Sequence, residues 1–331
     1  MLRRLTPLLA VAALLLPAQA TAAARTSIFY YPWYGTPRLD GDFVHWQQNG
    51  AAPPQQIASS YYPARGLYSS ADRLVLSAQM REIRAAGLDE VAVSWWGWGS
   101  PEDRRLELVV PAARAAGLAV AAHLEPYHGR TPESTLADIT HLRELGMTDF
   151  YVYGPQDAGV AEWAAANDRL PAGTRIFAQT TLVGFAAAAR FDGVYTYDIL
   201  MVGGDRFARL CDQARRQRLL CAPSVGPGYD ARRAVADPRV KPRRHGRTYD
   251  AMWGAALAAG ADVVTVTSYN EWHEGTQIEP ARARPGHLGY DGAWGLRGRR
   301  AERAYLDRTA FWSRRLALSR APSRDVAGTA R

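Results

Sequence analysis

The stretch Ala259-Gly260-Ala261-Asp262-Val263-Val264-Thr265-Val266-Thr267 ends one helix and begins one strand. Tyr249–Ala259 carries a helical pattern, and Gly260 follows where a left-handed cap is expected. The apolar, β-branched run after it reads as a buried strand. The same helix–Gly–strand punctuation recurs at Ala86-Gly87-Leu88, Ala116-Gly117-Leu118 and Leu145-Gly146-Met147.

Working outward, eight strand candidates emerge: Ile28–Tyr34, Glu90–Gly97, Ala119–Tyr127, Asp149–Gly154, Arg175–Thr180, Gly193–Ile199, Leu219–Val225 and Ala261–Tyr269. Helical patterns lie at Ala71–Ala86, Glu102–Ala116, Glu133–Leu145, Ala158–Ala166, Phe185–Arg190, Asp205–Arg218 and Tyr249–Ala259, and a last one at Arg299–Leu316. Strands alternating with helices call for parallel βαβ units, and eight of them predict an α/β protein, a (β/α)8 TIM barrel. An open doubly wound sheet is disfavoured because no Gly-rich phosphate loop follows the first strand. Gly35–Ser70 is too long for a routine connection and is expected to fold over one barrel face.

The chain has 331 residues, 47% of them hydrophobic and 22% charged, as in globular proteins. Residues 1–24 read as an export signal: Arg3 and Arg4, then the short apolar stretch Leu8–Leu16, then small-residue cleavage sites near 20–24. A retained membrane anchor is the lesser alternative, so no stable membrane association is expected once the signal is cleaved. Residues 25–320 are expected to form a single domain and 321–331 a disordered tail. Without Arg3 and Arg4 the net charge falls from +8 to +6, since 38 basic and 32 acidic residues remain. The arginines are scattered, and the dense run Arg239–Arg247 reads as a solvated loop, so no nucleic-acid partner is expected. Cys211 and Cys221 are placed either to form a disulfide or to stay as two buried thiols.

The run Ser268-Tyr269-Asn270-Glu271-Trp272-His273-Glu274-Gly275-Thr276-Gln277-Ile278-Glu279 follows the last strand directly. In such barrels chemistry gathers at the C-terminal strand ends. There the sequence places Tyr31, Trp95, Trp96, Glu125, Tyr153, Tyr195 and Tyr197 beside Asn270, Glu271, His273 and Glu274. The 10 Trp and 16 Tyr outnumber 8 Phe, which favours a lined cleft. Two carboxylates among aromatics suit acid/base work on a sugar, whose C–H face stacks on rings. Any single Tyr or Trp here serves equally well as barrel wall. Glu125 could instead be ion-paired with His123, and Glu279, ahead of Pro280, reads as structural. A metal site from His123, Glu125, His128, His273 and Glu274 is disfavoured, lacking both an i,i+4 His pair and three His at one strand end.

The run Asn270–Glu279 resembles the signature of glycoside hydrolase family 99, the endo-α-1,2-mannosidases and endo-α-1,2-mannanases. The likeness extends to Tyr30-Tyr31-Pro32-Trp33-Tyr34, Ser94-Trp95-Trp96-Gly97, His123-Leu124-Glu125-Pro126-Tyr127, Phe191–Tyr197 and Val225–Asp230. It implies a (β/α)8 glycosidase acting without metal or cofactor on α-mannose-containing oligosaccharides or polysaccharides; the chain itself is expected to be secreted, by its N-terminal signal, and monomeric. Glu274 matches the general acid/base, and Glu271 the base that deprotonates the substrate's own 2-hydroxyl. Trp95 or Trp96 matches a stacking Trp, Glu125 a carboxylate at the sugar site, Tyr195 a nearby tyrosine and Arg232 a substrate-contacting arginine. The chain after Asp230 departs from the family pattern. Two alternatives stand beside this reading: a non-catalytic sugar-binding barrel, and a retaining glycosidase of other specificity.

Overall fold

The computed structural model describes residues 25–319, so the expected signal and tail lie outside the described residues. The core strands are β1 (Arg25–Tyr30), β2 (Glu90–Trp95), β3 (Ala119–Leu124), β4 (Asp149–Val152), β5 (Arg175–Gln179), β6 (Gly193–Tyr195), β7 (Leu220–Ala222) and β8 (Ser224–Val225). A short hairpin, β9 (Tyr229–Asp230) with β10 (Val240–Lys241), precedes β11 (Val263–Val266). The large sheet runs β7-β6-β5-β4-β3-β2-β1-β11-β8, and β1 pairs in parallel with both β2 and β11. β7 and β8 are one barrel strand interrupted by Pro223, which has no N–H for the ladder. β7 pairs with β6 and β8 with β11, so the eight-stranded barrel closes.

Alternation along each strand builds two cores. Phe29, Tyr31, Ala92, Ala121, Tyr151, Phe177, Tyr195 and Ala222 fill the barrel, where alanines leave room for the rings. Ile28, Val91, Val93, Val120, Ile176 and Val194 face the surrounding helices. Four helix ends carry the expected left-handed glycines, Gly87, Gly117, Gly146 and Gly260. At the N-terminal pole, Asp149 is ion-paired with Arg25 and with Arg175 (2.6 Å), beside buried Glu90, which accepts from the Tyr151 hydroxyl at 3.1 Å.

The strands stop two to four residues short of most expected C-terminal ends, because the aromatic and polar residues there leave the ladder to line the barrel mouth. The segment after β1 does fold over that mouth. Trp46 is buried, stacks on Tyr34 at 4.1 Å between centroids and donates to the Tyr68 carbonyl at 3.1 Å.

Cys211, in the helix Phe207–Arg216, is disulfide-bonded to Cys221 in β7. Closing so short a loop restricts the unfolded chain by about 2–3 kcal/mol. Replacing both cysteines with alanine should lower the urea-unfolding midpoint by that equivalent, read by tryptophan fluorescence and with the same decrease in reducing agent.

Candidate active site

Beyond β11 the chain does not turn away from the barrel but packs across its mouth. Asn270 fixes the crossing: its side chain accepts from the Tyr31 amide at 2.8 Å and donates to the Tyr31 carbonyl at 2.9 Å. The Tyr34 hydroxyl donates to the Asn270 carbonyl at 3.0 Å and accepts from the Trp272 amide at 3.1 Å. Glu279 closes the segment. Its buried carboxylate accepts from Arg65 (2.8 Å), Gln79 (2.8 Å), Tyr68 (2.7 Å) and the Trp272 indole (3.0 Å). A carboxylate so fully satisfied is structural, as its sequence position suggests.

Glu271 is held differently. Its Oε1 accepts from the amides of His273 (2.9 Å) and Glu274 (3.3 Å), while Oε2 is buried with no hydrogen-bond partner. Burial, then the neighbouring Glu274, raises its proton affinity well above that of an ordinary carboxylate. Glu274 keeps a more open position, and its Oε2 accepts from the Tyr197 hydroxyl at 3.3 Å. Burial, and after it the charge of Asp198, pushes the Glu274 carboxyl up to about 8. Two such groups titrate as a pair. The two amides on Oε1 offset part of this rise at Glu271.

The aromatic setting assembles largely as expected. Tyr31 and Tyr197 share a short hydroxyl–hydroxyl hydrogen bond, which continues the chain to Glu274. Tyr195 bonds His123 Nε2 at 3.0 Å, and the His123 ring stacks on Tyr197 at 5.1 Å. Glu125 accepts from Ser94 at 2.8 Å, with His123 Nδ1 3.0 Å away but lacking hydrogen-bond geometry. Tyr153 packs edge-on to Tyr197 at 5.5 Å, and burial raises its hydroxyl to about 12. Burial also lowers the His273 pKa to about 4, so the ring is neutral, and its Nε2 donates to the His45 carbonyl at 2.5 Å. A cavity of about 190 Å³ is lined by Tyr153, Tyr197, Asp198, Ile199, Tyr229, Arg239 and Glu274.

Two positions fall elsewhere. Trp95 faces the helices, fully buried, with its indole donating to Asp103 at 2.8 Å. The alternation that turns Ser94 toward Glu125 turns its neighbour away, leaving the half-exposed Trp96 at the mouth. Arg232 is exposed and folds back onto Asp230 at 2.9 Å. Among the described residues no three His, Cys, Asp or Glu side chains are arranged to hold a metal ion.

Arg243 was not singled out by its sequence, lying in the run expected to be solvated. It is buried among the rings of Tyr61, Tyr290 and Tyr305, 4.5–4.8 Å from their centroids. It donates to the carbonyls of Gly275 (2.9 Å) and Gln277 (2.7 Å). The Asp230 amide donates to the Glu274 carbonyl at 2.7 Å. Gly275 adopts φ +63°, where a Cβ would come within 3.0 Å of the Asp230 carbonyl oxygen. The two peptides that follow Glu274 are thus fixed. Arg243→Met removes two hydrogen bonds and the cation–π contacts and should cost about 3 kcal/mol, measured by urea unfolding.

A family model described as glycosyl hydrolase family 99 matches residues 21–164 and 175–318. The glycoprotein endo-alpha-1,2-mannosidase-like protein of Danio rerio is 32% identical, across 77% of this chain and 70% of its own. The glycoprotein endo-alpha-1,2-mannosidase of Xenopus laevis is 29% identical, across 77% and 69%. The solved GH99 endo-alpha-mannosidase of Bacteroides thetaiotaomicron superposes with a TM-score of 0.81 at 28% identity, covering 90% of this chain and 98% of that one.

Proposed function

The chain belongs to glycosyl hydrolase family 99, and from that membership we propose that it cuts internal α-1,2-mannosidic bonds with retention, through the substrate's own 2-hydroxyl. It is a glycoside hydrolase, and its family supports action on α-mannosidic linkages. The observation that carries the finer reading is the unpaired, buried Oε2 of Glu271 beside a Glu274 carboxyl that burial pushes up to about 8.

Glu271 Oε2 takes the proton of the 2-hydroxyl, and O2 attacks the anomeric carbon. The glycosidic C–O bond breaks as Glu274 gives its proton to the departing oxygen, leaving a 1,2-anhydro sugar. Glu274, now a carboxylate, takes a proton from water as that water opens the three-membered ring at C1. Glu271 returns its proton to O2. Two inversions at one carbon give net retention. Neither carboxylate bonds to the sugar, so the three-residue spacing on one loop suffices. The Tyr31–Tyr197 hydroxyl chain holds Glu274 through both steps. Export follows from Arg3, Arg4 and Leu8–Leu16, with support from the Cys211–Cys221 disulfide.

On α-1,2-branched mannan, wild-type protein should release disaccharide or larger products by mass spectrometry. Glu271→Gln and Glu274→Gln should each lower kcat by about 10²–10⁴-fold. A covalent sugar ester trapped on either carboxylate would overturn the anhydro-sugar route.

The acid must be protonated, so kcat/KM should fall as pH rises through about 8, the value to which Glu274 is pushed. With an activated aryl leaving group, which needs no proton, Glu274→Gln should keep measurable bond cleavage and lose that alkaline limb.

A further inference from the structure

A second and larger concavity opens beside the catalytic cavity. It encloses about 820 Å³ and is lined by Gly203, Asp205, Lys241, Arg244, Arg247 and Met252, among others. The β9–β10 hairpin is a shared wall: Tyr229 and Arg239 face the catalytic cavity, and Lys241 faces the groove. Lys241 Nζ donates to the carbonyl of Ile199 at 2.5 Å, and Ile199 itself lines the catalytic cavity.

The charge in the groove is not balanced. Lys241, the single lysine of the chain, lies over Gly203 with the Asp205 carboxylate nearby. Arg244 and Arg247 are exposed, and among the described residues neither has a carboxylate within ion-pair distance. Three cations against one acid around a floor of Ala251, Met252 and Ala255 make a concave positive field, which a low-dielectric wall strengthens. A neutral mannose chain would leave the charge of these two guanidinium forks uncompensated. Guanidinium geometry suits a tetrahedral oxyanion, which can accept from two forks and an ammonium together.

We propose that this groove is a subsite for a phosphate group carried by the glycan, so that the preferred substrate is a phosphate-bearing α-mannoside. The proposal rests on the mannosidase reading of the neighbouring cavity. Phosphate seated by Arg244, Arg247 and Lys241 anchors the chain on the Ile199 side of Glu274.

The test compares a phosphorylated α-1,2-mannan with the same polymer after phosphate removal, using wild type and the double variant Arg244→Gln/Arg247→Gln. Wild type should show about tenfold higher kcat/KM on the phosphorylated polymer at low salt, fading toward parity in 0.5 M salt as screening sets in. The double variant should lose the preference while cutting the dephosphorylated polymer at the wild-type rate. Equal wild-type kcat/KM on both polymers, or a preference retained by the double variant, would overturn the subsite. If neither polymer is cut, the mannosidase reading fails separately. The groove is then judged by calorimetric titration of mannose 6-phosphate against mannose: binding of the phosphate ester that the double variant loses supports it, and no binding sinks it.

Discussion

A carboxylate taken out of water must be hydrogen-bonded, neutralised or used, and the site depends on three such groups within one loop. Glu279 is saturated by four donors and anchors the loop. Glu271 has one oxygen saturated and one left over. Glu274 has a single tyrosine hydroxyl, which favours the carboxylate, set against burial and the repulsion of Asp198, which push its carboxyl up to about 8. The same residue type, placed three times in a low-dielectric interior, acquires three roles because the donor count differs each time.

The barrel supplies the rigidity this division requires. Its interior is filled by rings on one side of each strand, and the topmost of these, Tyr31, Tyr195 and Tyr197, end in hydroxyls at the catalytic level. Packing and polar organisation are therefore continuous along the barrel axis, with no layer of loose side chains between them. Arg243 performs the matching task from outside, clamping the carbonyls just after Glu274 without itself offering a charge to the substrate.

Much of this was legible from local pattern. Alternation and glycine caps suffice for eight βα units, and Glu271 and Glu274 stand out because aromatic-flanked carboxylates at a strand end have few structural uses. What local pattern could not resolve was facing and distant partnership. Trp95 and Trp96 are adjacent, so one must point to the helices, and only the register of β2 decides which. Arg232 looked available because its carboxylate partner, Asp230, is two residues away, a spacing equally compatible with a free side chain. Arg243 was unreadable for the opposite reason: its cage comes from Tyr61, Tyr290 and Tyr305, and no local periodicity marks a residue whose environment is made by segments far apart in the chain.

The Glu279 junction has a consequence for how such an enzyme diversifies. Arg65 and Tyr68 belong to the long excursion after β1, Gln79 to the following helix, and Trp272 to the catalytic loop itself. One carboxylate thus splices the covering segment to the Glu271–Glu274 loop. Exchanging that excursion for another, to reshape the outer sugar sites, would strand Glu279 as an unpaired buried charge unless the incoming segment carried its own arginine and tyrosine. Any redesign of the cover has therefore to carry the Glu271–Glu274 loop with it as one module.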